Sequence, residues 1–122
     1  MWHTELDAGI QRCIKQCQSC AAVCTETSQH CLRMGGQHAA SDRIALLQLC
    51  AGICDLTAKS MQLGARSHHA FCRLCSAICD DCANDCESMG ADDLMLDCAR
   101  VCRECSESCA AMAGVESPAV AS

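Results

Sequence analysis

The sequence has 122 residues, enough for one domain with a single core, and it contains 16 cysteines but only one Trp, one Phe and no Tyr. Cysteine must therefore fill much of a core that other domains build from leucine, isoleucine and aromatic rings. The formal net charge of −6 argues against nucleic acid or an anionic membrane surface as the main partner, because both attract a basic surface.

The first ten residues contain Glu5 and Asp7 and no apolar run. They predict no signal peptide, no twin-arginine signal and no membrane-spanning segment. We therefore expect a cytoplasmic protein. In that reducing compartment cysteines are more often free, catalytic or metal-bound than joined in disulfides.

Four helices are predicted in chain order, over residues 4–34, 42–63, 67–89 and 92–113. A glycine follows each helix, as Gly64 and Gly90 illustrate, and the loops are short. Neighbouring helices should then run antiparallel, which gives an all-α, up-down-up-down four-helix bundle spanning residues 1–114. Residues 115–122 have no apolar periodicity and are expected to form a flexible C-terminal tail.

The cysteines recur at steps of three and four residues within the predicted helices, with one step of seven from Cys24 to Cys31, which places them on one face of each helix. In chain order they are Cys13, Cys17, Cys20, Cys24, Cys31, Cys50, Cys54, Cys72, Cys75, Cys79, Cys82, Cys86, Cys98, Cys102, Cys105 and Cys109. No charged residue lies on these faces. Four such faces turned inward predict a core lined with sulfur.

Packing alone is a weak explanation for these faces, because a cysteine in place of leucine weakens a core by roughly 1 kcal/mol or more at each position. Disulfides within a helix are disfavoured, because Cβ atoms four residues apart are about 5–6 Å from each other. A disulfide requires roughly 3.5–4.5 Å between those atoms. Bridges between helices stay open as products of oxidation in air.

Metal binding fits the pattern better, and the charge of the core favours Cu(I) over zinc. A zinc ion on four thiolates carries a charge of about −2, which is costly to bury repeatedly. Motifs for iron–sulfur clusters, c-type haem and a di-iron centre are absent from the sequence. Cu(I) is soft and monovalent and prefers sulfur, and seven C-x-x-x-C pairs could each hold it between two thiolates. With bridging thiolates, about one Cu(I) per cysteine leaves the core nearly neutral.

Methionines extend the cysteine faces at both ends of the predicted bundle. Thioethers bind Cu(I) more weakly than thiolates and therefore suit a transfer path, although methionine also serves as a flexible core filler. The spacing of the methionines favours copper uptake at the end of the bundle formed by the C-terminus of the first helix, rather than at the end that carries Met61 and Met112. The candidate uptake residues at the favoured end are Met34, Met89, Met95 and His38, with His30 nearby.

The sequence resembles the bacterial copper storage proteins, through its cysteine faces, its repeated C-x-x-x-C spacing and the run His30-Cys31-Leu32-Arg33-Met34. The resemblance covers nearly the whole chain. It implies a non-catalytic cytoplasmic store of many Cu(I) ions, often a homotetramer, in which His30 and Cys31 are ligands and Met34 lies where copper enters. The second helix departs from the pattern, since Thr57 occupies a position on its cysteine face, so the layer around Thr57 is not assigned to copper.

Two rival functions remain open at this point. A general thiolate metal buffer would hold zinc or mixed metals on the same residues. A thiol oxidoreductase would need an exposed cysteine with a low pKa beside a basic group, which a buried face does not provide. The physiological donor and acceptor of copper are not identified by the sequence.

Overall fold

The structure, a computed structural model, describes the backbone of residues 4–121 and the side chains of residues 8–114. Four α-helices follow one another: α1 (Thr4–Met34), α2 (Ser41–Gln62), α3 (His68–Glu87) and α4 (Asp93–Ala121). A short 3₁₀ helix, Gly36–Ala39, lies between α1 and α2. Over the described ranges the chain contains no β-strand.

Each helix packs against two others, in the order α1, α2, α3, α4 and back to α1. The diagonal pairs, α1 with α3 and α2 with α4, do not pack together within the described part of the chain. Short loops and this packing order are those of an up-down-up-down bundle. The prediction of an all-α four-helix bundle is thus confirmed, and the four inward faces surround one long core.

The first three helices begin and end within two residues of their predicted bounds. The 3₁₀ helix was not predicted. It follows Gly35 and Gly36, whose φ angles of 70° and 54° end α1 in the left-handed region that glycine adopts without strain. It matters for function because it brings His38 back towards the end of the bundle.

The fourth helix continues to Ala121, beyond the predicted end at residue 113. Gly114 does not adopt the positive φ that ends the other helices, and the alanines before it favour continued helix. The side chains from residue 115 onward lie outside the described residues. The flexible C-terminal tail at 115–122 therefore stays a prediction.

α2 is the most apolar helix of the bundle. By length and composition alone it could cross a membrane, although 44% of its most apolar stretch is buried inside the bundle. This is weak evidence for a membrane span, because core helices have the same composition. Its outer face carries three exposed leucines seven residues apart, at Leu49, Leu56 and Leu63.

Candidate metal centre

The core of the bundle consists largely of cysteine. All 16 cysteines are free thiols and each is at most 1% exposed. The steps of three and four residues keep every thiol on the inner face of its helix. The predicted cysteine-lined core is therefore present, and no cysteine of the sequence lies outside it.

Thiol contacts form a continuous path through much of the core, from Cys13 to Cys98. Successive Sγ atoms along this path lie 3.6–4.0 Å apart. Disulfide sulfurs are about 2.05 Å apart, so these are contacts between separate thiols. The path runs through Cys13, Cys109, Cys17, Cys105, Cys54, Cys79, Cys20, Cys24 and Cys98.

The thiols also group into fours whose Sγ atoms all lie within 4.8 Å of one another. Five such groups are Cys17-Cys75-Cys105-Cys109, Cys54-Cys75-Cys79-Cys105, Cys20-Cys50-Cys54-Cys79, Cys20-Cys24-Cys50-Cys102 and Cys24-Cys82-Cys98-Cys102. Neighbouring groups share members, as Cys54 and Cys24 show by each belonging to two. A shared thiolate can bridge metal ions, so the arrangement suits a continuous multinuclear cluster better than isolated four-thiolate sites.

Burial in this core opposes ionisation of the thiols. It raises the pKa of Cys31, although the nearby Arg43 guanidinium acts in the opposite direction. The contact with Cys109 lowers the pKa of Cys72, but contact with Cys13 and burial outweigh it and raise that pKa to about 12. Hydrogen bonds from Cys109 and Cys17 instead lower the pKa of Cys105 to about 7. Thiols such as Cys31 and Cys72 are thus protonated at neutral pH in the apo protein, and a metal must displace those protons.

One end of the core is formed by the C-terminus of α1, the 3₁₀ helix and the loop between α3 and α4; we call this end the mouth. The Cys31 thiol donates to the thioether of Met95, with 3.6 Å between the sulfurs. Met95 is fully buried, Met89 is partly buried against the core, and Met34 is 56% exposed. The structure thus spaces the three methionines from surface to core, while His30 lies beside Cys31 in sequence.

Asp92 joins the two histidines at the mouth. Its Oδ2 atom lies 2.9 Å from His30 Nε2 and 2.8 Å from His38 Nε2. Its Oδ1 atom accepts hydrogen bonds from the backbone N–H groups of Leu94, at 2.9 Å, and Met95, at 3.3 Å, which caps α4. The hydrogen bonds from His30 and then His38 hold the pKa of the Asp92 carboxyl well below its usual range. Asp92 is therefore an ionised hydrogen-bond acceptor at neutral pH.

An ion pair braces the same end of the bundle. Arg43 Nε and Nη2 donate to the Asp85 carboxylate at 2.8 and 3.2 Å, which joins α2 to α3. Arg43 Nη1 also donates to the carbonyl of Gln37 in the 3₁₀ helix. Sequence reasoning missed Arg43, Asp85 and Asp92 as parts of the mouth. The available signal was the helix-start position of Asp92, directly after the turn at Gly90 and at the end where the methionines were predicted to converge.

The opposite end of the bundle carries Met61, Met112 and a pair of histidines, His68 and His69. A cavity of 1110 Å³ lies there, lined in part by Ile10, Met61 and His69. His69 Nδ1 donates to the backbone carbonyl of Met112 at 3.2 Å. The neighbouring core position, Thr57, is fully buried, and its hydroxyl donates to the Phe71 carbonyl at 3.3 Å. The Thr57 side chain thus forms a hydrogen bond to the backbone of α3.

Sequence comparison shows which known proteins the chain resembles. A sequence model of the family described as "Copper storage protein" matches residues 6–114. The chain is 35% identical over 76 residues to the uncharacterized cysteine-rich protein YhjQ of Bacillus subtilis, an alignment that covers 62% of this chain and 70% of that protein.

Solved structures resemble the bundle closely. The Nmul_A1745 protein of Nitrosospira multiformis superposes with a TM-score of 0.85 at 38% identity, covering 90% of this chain and 99% of that chain. The Cu(I)-bound copper storage protein BsCsp3 gives a TM-score of 0.81 at 34% identity, with coverage of 86% and 98%. The apo form of copper storage protein 3 from Bacillus subtilis gives 0.77 at 35% identity, with coverage of 84% and 97%.

Proposed function

The chain belongs to the copper storage protein family, and from that premise we propose that it stores Cu(I) in its thiol core, at about one ion per cysteine. The ions are cargo that is loaded and released, and the protein is not an enzyme. The buried cysteines are poorly placed for thiol exchange with another protein, because that chemistry requires an accessible thiolate.

The overlap of the four-thiol groups is the observation that carries this proposal. Each group could by itself hold one tetrahedral ion, but groups that share a sulfur cannot all be separate sites with four ligands of their own. Groups that share a sulfur can all bind metal if the shared thiolate bridges, since each sulfur then binds two ions. The continuous path of sulfur contacts allows such bridging from Cys13 to Cys98.

The net charge of the loaded core favours Cu(I) over zinc. No lysine, arginine, aspartate or glutamate is among the buried residues of the described core. Thiolates formed there must be neutralised by the ions themselves, because burying unpaired charge is very costly. One monovalent ion per thiolate leaves no net charge, whereas a zinc ion on four thiolates leaves about −2. Soft sulfur donors also favour Cu(I) among the available metals.

We propose that copper enters at the mouth. His30 and Cys31 act as ligands there, and Met34, Met89, Met95 and His38 take part in uptake. The increase in burial from the exposed Met34 to the fully buried Met95 supports entry at the mouth. Weak thioether ligands along such a path allow an ion to be passed on without being trapped. The Cys31–Met95 contact supports a direct passage from thioether to thiolate.

The cellular setting is proposed on more general grounds. We place the protein in the bacterial cytoplasm, where free thiols persist, and expect no nucleic acid or membrane partner. We also propose a homo-oligomer, a tetramer as the family resemblance implies. Leu49, Leu56 and Leu63 on the outer face of α2 offer an apolar surface for self-association, which light scattering after gel filtration measures directly.

The deciding experiment is an anaerobic titration of the reduced protein with Cu(I) in the presence of a chromophoric Cu(I) chelator. We expect competition with the chelator until about 16 ions are bound per chain, one per cysteine. Saturation at one or two ions would overturn the proposal.

The second candidate, a general metal buffer, is supported by the same four-thiol groups, because four thiolates also suit zinc. Competition between Zn(II) and Cu(I) for the apo protein separates the two. We expect Cu(I) to displace zinc completely and to bind in larger number. Retention of zinc against an excess of Cu(I) would favour the buffer.

A further inference from the structure

Both carboxylate oxygens of Asp92 accept hydrogen bonds, and each accepts them from different partners. Oδ1 accepts the backbone N–H groups at the start of α4, while Oδ2 accepts from the two histidine rings. A helix start needs only one acceptor oxygen, and serine or threonine would supply it. The carboxylate therefore does something at the mouth that capping does not require.

The contacts fix which ring nitrogen carries the proton. An ionised carboxylate can only accept hydrogen bonds, so the Nε2 atoms of His30 and His38 must both be donors. A neutral imidazole carries one proton, which leaves the lone pair on Nδ1 in each ring. The two rings meet edge to face with their centroids 5.6 Å apart.

The Nδ1 atoms are the ones left for a ligand. Neither ring makes a hydrogen bond through Nδ1 to any residue in the described part of the chain. The side chains of His30 and His38 are 15% and 17% exposed, so they lie at the boundary between solvent and core. Metal-binding histidines usually donate their other N–H to a carboxylate, which fixes the tautomer and the ring orientation.

We propose that Asp92 is a positioning residue for copper uptake, which holds His30 and His38 in the tautomer that presents both Nδ1 lone pairs to an incoming Cu(I). The proposal rests on the storage function and on uptake at the mouth. The same carboxylate caps the helix that carries Met95, so one residue sets the histidines relative to the thioether that contacts Cys31. Asp92 itself does not bind the ion.

Two substitutions separate positioning from capping. In Asp92→Ser the hydroxyl still caps α4 but is too short to serve both rings. In Asp92→Asn the carbonyl oxygen must stay on the backbone N–H groups, because the amide nitrogen cannot accept from them. The amide N–H₂ then faces the rings and donates to Nε2, which moves the ring proton to Nδ1. Asp92→Asn should therefore favour the opposite tautomer of both histidines, with the proton on Nδ1. Asp92→Ser should leave the tautomer of both rings unconstrained.

The test combines a spectroscopic and a kinetic measurement on the full chain. Long-range ¹⁵N–¹H spectra of the apo protein at pH 8 should show Nε2–H rings for His30 and His38, and Nδ1–H rings in Asp92→Asn. The initial rate of Cu(I) transfer from its bicinchoninate complex should fall by about 10-fold or more in Asp92→Asn, and less in Asp92→Ser. The final number of bound ions should not change in either variant.

Nδ1–H rings in the parent protein, or an unchanged uptake rate in Asp92→Asn, would overturn the proposal. If Asp92→Asn does not fold, the spectrum of the parent protein and the uptake rate of Asp92→Ser decide the question. The storage function is judged separately, by the number of ions that the parent protein holds at saturation. Full loading with unaltered rates in the variants refutes the positioning role alone.

Discussion

The Sγ atom of Cys31 lies 3.6 Å from the Sδ atom of Met95, and both side chains are fully buried. This is the point at which the methionines of the mouth touch the cysteines of the core. The two sulfurs belong to different helices, α1 and α4, so their contact depends on how those helices pack. The contact places a weak Cu(I) ligand, the thioether, and a strong one, the thiol, close enough together to bind the same ion.

Met95→Leu tests whether that thioether takes part in uptake. Leucine conserves volume, so the free energy of unfolding should change by less than about 1.5 kcal/mol. Loss of one weak ligand, worth about 1 kcal/mol, should slow Cu(I) uptake by ~5-fold. Stopped-flow mixing with a Cu(I)–chelator complex measures this rate. Met61→Leu is the matched control, because Met61 is also buried but lies at the opposite end. Equal slowing in both variants would contradict uptake at the mouth.

Cys54 and Cys31 should differ in how many ions they hold. The Cys54 sulfur touches those of Cys75, Cys79 and Cys105 and belongs to two four-thiol groups. Cys54→Ser removes a bridging ligand, so we expect the loss of more than one Cu(I) per chain. Cys31→Ser removes a thiol at the end of the core and should lose about one ion. Mass spectrometry of the saturated proteins under native conditions counts the ions. Equal losses would argue against bridging.

Thr57 should matter for stability and not for copper. Its hydroxyl, fully buried, donates to the Phe71 carbonyl at 3.3 Å. Thr57→Val keeps the shape but removes the donor, which should lower the free energy of unfolding by about 1 kcal/mol. Copper capacity should stay the same. Urea denaturation and a Cu(I) titration measure the two quantities, and a reduced capacity would place this layer among the copper sites.

The sequence predicts the fold and the core for one reason: steps of three and four residues determine which side of a helix faces inward. The burial of Cys13 and of Cys109 follows directly from that rule. The mouth does not follow from it. The contact of Asp92 with His30 spans 62 positions in the chain and depends on the turn after Gly90, and its contact with His38 depends on the 3₁₀ helix. No periodic pattern encodes such a contact, so Asp92 could be identified only as a helix start.

The apo protein should become less stable as the pH rises above about 9. Contact with Cys13 and burial raise the pKa of Cys72 to about 12, from an ordinary value of about 9 for a thiol. Between these values the folded state keeps a proton that the unfolded state has released, so stability falls by about 1.4 kcal/mol per pH unit for each such thiol. Below about pH 8.5 both states are protonated and this contribution is constant. Anaerobic urea denaturation from pH 9 to 10.5 measures the slope, and stability that rises over this range would contradict the prediction.

Loading with Cu(I) should raise the melting temperature of the protein. The complete four-thiol groups exist only in the folded bundle, so an ion that binds them stabilises the folded state. A single site at a free concentration 100 times its Kd contributes about 2.7 kcal/mol, which corresponds to ~10 °C for a domain of this size. Scanning calorimetry at increasing copper content should therefore show a stepwise rise, and a Cu(I) chelator should reverse it. A melting temperature that does not move as copper binds would mean that the ions also bind the unfolded chain equally well, contrary to a store built by the folded core.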